Sequence, residues 1–367
     1  MAALTFSEVL GRRIRSGDWI EQKVSTFREV GRAIDDERFD DVADLANYFV
    51  DEARVCWNLY RQWMRDLEGF LVERGVSSDD LAAVKAGIAE VTRLPDGALF
   101  DPETEWARFH AQIAGVVEAA GRRDGASARR LMADAKETWR RTHDRDVDAI
   151  YGLLSDISTR LGEDAILDTW QAILQPWFDA RYTRFDIDSF AWGESLDVLM
   201  YVTFEAMRGH LVGPERTGDI GFEEFDDRFV VSFDPCGSGG RTVQGDEIEG
   251  TGPRMEAPYG WKVSEQPHDW NHFTPGVCLY CAHCIVLTEQ MPMDHFGYPV
   301  RVIDPPVYAA GQTERQQCRW TMYKDPTAVP EELYTRAGRT KPTEFGSTAH
   351  RDRVFLGPLT TRNGDAE

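Results

Sequence analysis

Three cysteines fall within one run, Cys278-Leu279-Tyr280-Cys281-Ala282-His283-Cys284. This spacing gathers soft sulfur donors with little backbone strain, and a fourth donor is at hand in Cys236 or Cys318. Tetrahedral zinc takes four such ligands and holds thiolates deprotonated. The predicted metal ligands are Cys236, Cys278, Cys281 and Cys284, with Cys318 competing for a place. His283 lies inside the run, as a ligand, a hydrogen-bond donor to one, or a pocket-lining group. An iron–sulfur cluster is the alternative cofactor. The bacterial ferredoxin run puts its fourth cysteine after three intervening residues and before a proline, where this chain has Thr288, and Cys236 follows a proline instead. Unmetallated reactive thiols are the third reading, and zinc is favoured over both.

Two further segments carry chemistry. Phe233-Asp234-Pro235-Cys236-Gly237-Ser238-Gly239-Gly240-Arg241 is a strand exit followed by glycines. Gly237, Ser238 and Gly239 permit close approach of a ligand to backbone amides. Arg241 can pair a substrate carboxylate, and Asp234 can act as a base or start the turn. No Gly-Lys-Ser/Thr closes this loop, so it is not a P-loop. His268 and His272 stand four apart, but Pro267 and Thr274-Pro275-Gly276 exclude a long helix between them. They are candidate acid–base groups, together with Asp234 and His283. Gly-x-Ser-x-Gly and Gly-x-Gly-x-x-Gly signatures are absent.

The elements that position these residues differ between the two halves. Residues 1–212 read as an all-helical domain, with helical periodicity over about 21–34, 40–74, 102–121, 126–160 and 163–182. Gly75 serves as a helix stop and Ser77 as a cap for the next helix. Leu45 to Gly75 and Leu131 to Gly162 share a long helix, a glycine stop and an acidic restart, which suggests an internal duplication. Cys56 among Trp57, Tyr60 and Trp63 reads as core. The stretch Trp139 to Asp146, with His143, reads as a solvated helix face.

Residues 213–367 read as a smaller α+β, Cys-rich metal-binding domain. Strands are predicted over 228–233, 298–303 and 318–324, the last with Cys318, Trp320 and Met322 on one face. A short helix is predicted from Cys284 to Met291, and a loose tail after Pro358. The predicted fold class is α+β with a modest, mainly antiparallel sheet.

Charge and composition bound the partners. Lys plus Arg is 41 against 63 Asp plus Glu, a net of −22. That balance disfavours nucleic acid and anionic membranes. No apolar run approaches the ~18 residues of a membrane span, and no secretory leader is visible, so a cytoplasmic protein is expected. The implied partner is a small molecule, with the helical half forming a pocket wall or a surface for a second copy of the chain.

Cys281 and Cys284, a following connection with Gly311, and a terminal strand bearing Cys318 and Trp320 form a pattern confined to the C-terminal part of the chain. In these residues the chain resembles the L-2-amino-thiazoline-4-carboxylic acid hydrolase-like family. The resemblance implies hydrolysis of a C–N bond in a small cyclic substrate. The Asp234–Gly240 loop and the His268/His272 pair lie outside it. The expectation is therefore a metal-dependent, zinc-favoured hydrolase of a small anionic molecule. The alternatives are a structural zinc-binding interaction protein and a thiol or iron–sulfur redox protein.

Overall fold

The computed structural model describes residues 3–312 and 314–346. The predicted loose tail lies outside them. The chain opens with a hairpin, β1 (Leu4–Ser7) and β2 (Arg12–Arg15), in register Leu4 to Arg15. This corrects the expectation that the first half is wholly helical. Each strand has only four residues, too few for alternation to stand out against helical periodicity.

Helices follow: α1 (Trp19–Gln22), α2 (Thr26–Asp35), α3 (Phe39–Glu73), α4 (Ser78–Val91), α5 (Pro102–Gly121), α6 (Gly125–Leu161), α7 (Asp164–Arg181) and α8 (Trp192–Gly209). Their ends follow local chemistry. Ser77 accepts the Asp80 amide at the start of α4, Asp124 accepts the Ser127 amide at the start of α6, and Pro102 opens α5. Gly75 and Gly162, past α3 and α6, both take positive φ, which glycine adopts at little cost. The order long helix, glycine, shorter helix occurs twice, as α3–α4 and α6–α7.

α3 and α6 are the central pair. Val42, Leu45, Phe49, Trp57, Tyr60 and Leu67 line the buried side of α3. From Val147 to Ile157, α6 is buried on nearly every side. α5 packs against both helices, and α8 packs against α3.

The second half adds a four-stranded antiparallel sheet in the order β3 (Gly221–Glu224), β4 (Arg228–Phe233), β6 (Cys318–Tyr323), β5 (Val302–Asp304). Its register pairs Phe233 with Cys318 and Val231 with Trp320. Cys318, Trp320 and Met322 share the buried face of β6, as the alternation predicts. Strand β5 is shorter than the predicted 298–303, because the Val300 and Arg301 amides go to the Thr288 carbonyl instead of a strand partner. Short helices α9 (Gly239–Gln244), α10 (Ala282–Ile285), α11 (Met291–Phe296) and α12 (Glu331–Arg336) follow among the described residues. A wide π-turn over Val286–Gln290 joins α10 to α11, so the helical run is longer than expected. The molecule is thus α+β with a small antiparallel sheet. One continuous set of buried side chains runs from Leu4 to Met322, across the expected boundary at 212. Among the described residues, no helix is long and apolar enough to cross a membrane.

Candidate functional site

The cysteine run is held by the N-terminal helices. Trp170 of α7 donates its indole N–H to the Leu279 carbonyl at 2.9 Å. Trp63 of α3 packs edge-on against Trp170 and against the His283 ring, with centroids 5.0 and 4.9 Å away. Aromatic pairs of this kind add about 0.5–1.5 kcal/mol beyond their burial.

Five free thiols form one neighbourhood, all buried except the partly exposed Cys284. Strand order brings the distant ones together: β4 ends at Phe233 opposite Cys318, and the chain turns at once to Cys236. The Cys236 thiol lies beside that of Cys318 and receives the Gly240 amide at 2.9 Å. The Cys318 contact lowers the Cys236 pKa, while the same contact and burial push Cys318 up. Cys278 and Cys281 form a second close pair, with Thr242 Oγ1 3.4 Å from Cys278 Sγ. Burial alone would raise Cys278, but the contacts with Cys281 and Thr242 outweigh it, whereas Cys281 is driven up. Gly239 has to be glycine, because a Cβ there would overlap Cys281 Sγ.

His283 sits at the more open edge. Its Nδ1 lies 2.5 Å from the Tyr280 carbonyl, which makes that nitrogen the N–H and leaves a lone pair on Nε2. Nε2 is 3.3 Å from Cys284 Sγ. Burial depresses His283 to about 4, so the ring is a neutral base at ordinary pH. Burial and the neighbouring thiols push Cys284 up, opposed by the positive charge of Arg301. The Arg301 guanidinium lies 4.9 Å over the Trp320 ring and 3.5 Å from Tyr182 OH, and its Nε is buried without a hydrogen-bond partner among the described residues.

A second buried polar cluster lies on the other side of Tyr280. Tyr60 OH is 3.1 Å from His143 Nε2 and 2.9 Å from His210 Nδ1, and those two nitrogens are 2.8 Å apart. Tyr280 OH donates to Tyr60 OH at 3.3 Å. Asp144 Oδ1 is 2.9 Å from His143 Nδ1. Burial would raise Asp144, but Arg216 and Arg241 hold it well below the usual carboxylate range, and Arg216 and Arg140 both bond it. Next along α6, Asp148 is clamped by Arg241 and Arg254.

The predicted residues scatter more widely than expected. Arg241 is fully buried, spending its donors on Asp148, the Asp144 carbonyl and the Gly237 carbonyl. Asp234 pairs with Arg315 at 2.9 Å. His268 stacks on Trp270 and pairs with Glu163, and His272 pairs with the buried Glu289. Gly237 lies against the His210 carbonyl, Ser238 is buried beside Tyr280, and Gly239 lies against Cys281. Of the predicted acid–base groups, His283 is the one in contact with a cysteine of the run.

Sequence reasoning missed Tyr60, His143, His210 and Arg301. The stretch from Thr142 to Asp148 is buried, which corrects its reading as a solvated face. A signal was present. The turns that follow, Val147 to Ile157, are apolar on several sides, which marks a central helix whose charges must find internal partners.

Among the described residues, no three His, Cys, Asp or Glu side chains stand together as a ready metal-holding group. No protein-family model matches the chain, and neither the curated proteins nor the solved structures contain a match to it.

Proposed function

We propose that the chain is a zinc-dependent hydrolase of a small anionic molecule, built on the thiols of Cys236, Cys278, Cys281 and Cys284. The observation that carries this reading is the gathering of five cysteines from three separated segments beside a neutral, oriented His283. The donor set suits zinc in type: soft thiols, two of them with lowered pKa. Held by three of these thiols with the fourth position open, zinc would supply Lewis acidity toward a carbonyl or amidine.

The chain's own groups do the rest. His283 Nε2 takes a proton from the attacking water and returns it to the leaving nitrogen as the C–N bond breaks. Arg301, which has no carboxylate partner among the described residues, attracts the anionic group of the substrate. The trapped state of Arg241 moves the anion-binding role from the glycine loop to Arg301. The C–N specificity follows the resemblance in Cys281, Cys284, Cys318 and Trp320.

The test is elemental analysis joined to a screen of cyclic amidines and amides bearing a carboxylate. Zinc bound through the thiols, and turnover lost in His283→Gln with zinc retained, support the reading. A folded protein whose zinc is present but which turns over none of these substrates favours a structural zinc module.

The paired thiols favour one second reading. Cys236 with Cys318 and Cys278 with Cys281 each couple a lowered thiol to a raised one, an arrangement suited to dithiol–disulfide exchange. Reversible formation of these disulfides under mild oxidant, in protein free of metal, would select it.

A further inference from the structure

We infer that Tyr60, His143 and His210 form a binding site for a six-coordinate first-row divalent metal ion such as ferrous iron, distinct from the thiol centre. The three donor atoms make a nearly equilateral triangle with edges of 2.8, 2.9 and 3.1 Å. Metal–nitrogen bonds of about 2.1 Å set at right angles put neighbouring donors about 3.0 Å apart, whereas a tetrahedron of the same bonds needs about 3.4 Å. The triangle therefore has the size of one octahedral face. Two imidazoles and one oxygen donor on a face, with the opposite side open, is the arrangement that suits non-haem iron, a phenol here replacing the usual carboxylate.

Proton counting points the same way. The Asp144 carboxylate accepts from Arg140 and Arg216 and faces His143 Nδ1 at 2.9 Å, so His143 carries its proton on Nδ1 and presents a lone pair at Nε2. His210 Nδ1 offers one in-plane position, filled either by a proton or by a lone pair. Tyr60 has a single proton, and Tyr280 donates to Tyr60 instead of accepting from it. No assignment places a directed proton in all three contacts. If His210 Nδ1 is bare, two nitrogen lone pairs face each other at 2.8 Å. If it is protonated, it donates to Tyr60 and Tyr60 to His143, and the 2.8 Å contact between the two histidine nitrogens is left without a proton. One cation accepts all three lone pairs at once.

The surroundings are those of a metal site. Metal-bound histidines usually donate their other N–H to a carboxylate that fixes the ring, and Asp144 does this for His143. Arg140 and Arg216 fix Asp144 in turn. Trp139 donates to the Gly209 carbonyl at 2.8 Å and anchors the chain just before His210. Tyr60 and His143 are fully buried, and His210 is half-buried. Burial pushes the Tyr60 phenol up, and a bound cation would offset that by favouring the phenolate.

The experiment titrates the purified full-length chain with ferrous iron without oxygen, then oxidises it with ferricyanide. One bound iron is expected, and on oxidation a visible phenolate-to-iron(III) charge-transfer band. Tyr60→Phe should keep the fold and lose the band. His210→Gln, at the more exposed ligand, should weaken iron binding by roughly 10–100-fold. Cys281→Ser should keep both iron and band, whatever becomes of zinc, which separates this site from the thiol reading. Failure of the wild type to bind iron would overturn the inference. So would a band that survives in Tyr60→Phe, or iron lost in Cys281→Ser and unchanged in His210→Gln.

Discussion

His283 Nε2 and Cys284 Sγ stand 3.3 Å apart on consecutive residues of one helical turn. The contact exists because Tyr280 O captures Nδ1 and because Trp63 and Trp170 close on the ring from α3 and α7. A base is thus fixed in tautomer and direction by elements from both halves of the chain, at the edge of the thiol cluster where Cys284 reaches solvent.

His283→Gln should therefore act on chemistry more than on binding. Loss of a positioned general base costs about 10²–10⁴ in rate. The expected outcome is a fall in kcat of that size with KM and zinc content nearly unchanged. Equal turnover in the variant would remove His283 from the mechanism.

Gly239→Ala should disturb the thiols without touching any of them covalently. The new methyl would overlap Cys281 Sγ, and overpacking a tight interior typically costs about 1–3 kcal/mol. The variant should melt earlier and hold less zinc than wild type at the same free zinc concentration. Unchanged zinc affinity would mean that Cys281 is not a ligand.

Asp148 tests the ionic interior of α6. It is fully buried between Arg241 and Arg254, and truncation leaves both guanidiniums short of a partner. Asp148→Ala should cost about 3–5 kcal/mol in urea unfolding. The pH dependence has a definite sign. Burial would raise this carboxylate, but the two arginines win and hold it below its ordinary 3.8. Its contribution is therefore fully present above that value and is lost as pH falls below it. The stability gap between wild type and Asp148→Asn should shrink from pH 5 to pH 3. A gap that stays constant over that range would contradict the ion-pair account.

Much of the architecture was legible because it is local. Leu45, Phe49, Tyr60 and Leu67 mark one face of α3, and Ser77 and Asp124 sit at helix starts whatever the tertiary fold. Cys318, Trp320 and Met322 declare a strand face by alternation alone. What was not legible is long-range. Cys236 meets Cys318 only because β4 and β6 are neighbours, which sequence order does not reveal. Asp144 looks solvated until Arg216, 72 residues away, folds onto it. Arg241 looks free to hold a substrate until Asp148 claims it from another helix. The β1–β2 hairpin was hidden by the brevity of its strands.

The central claim is that the gathered thiols hold zinc, and elemental mass spectrometry of the untagged, purified chain tests it most directly. The account predicts about one zinc per chain in addition to any iron, lost in Cys281→Ser while the helical content persists. A folded wild-type protein without zinc, its cysteines all titrating as free thiols on denaturation, would contradict it.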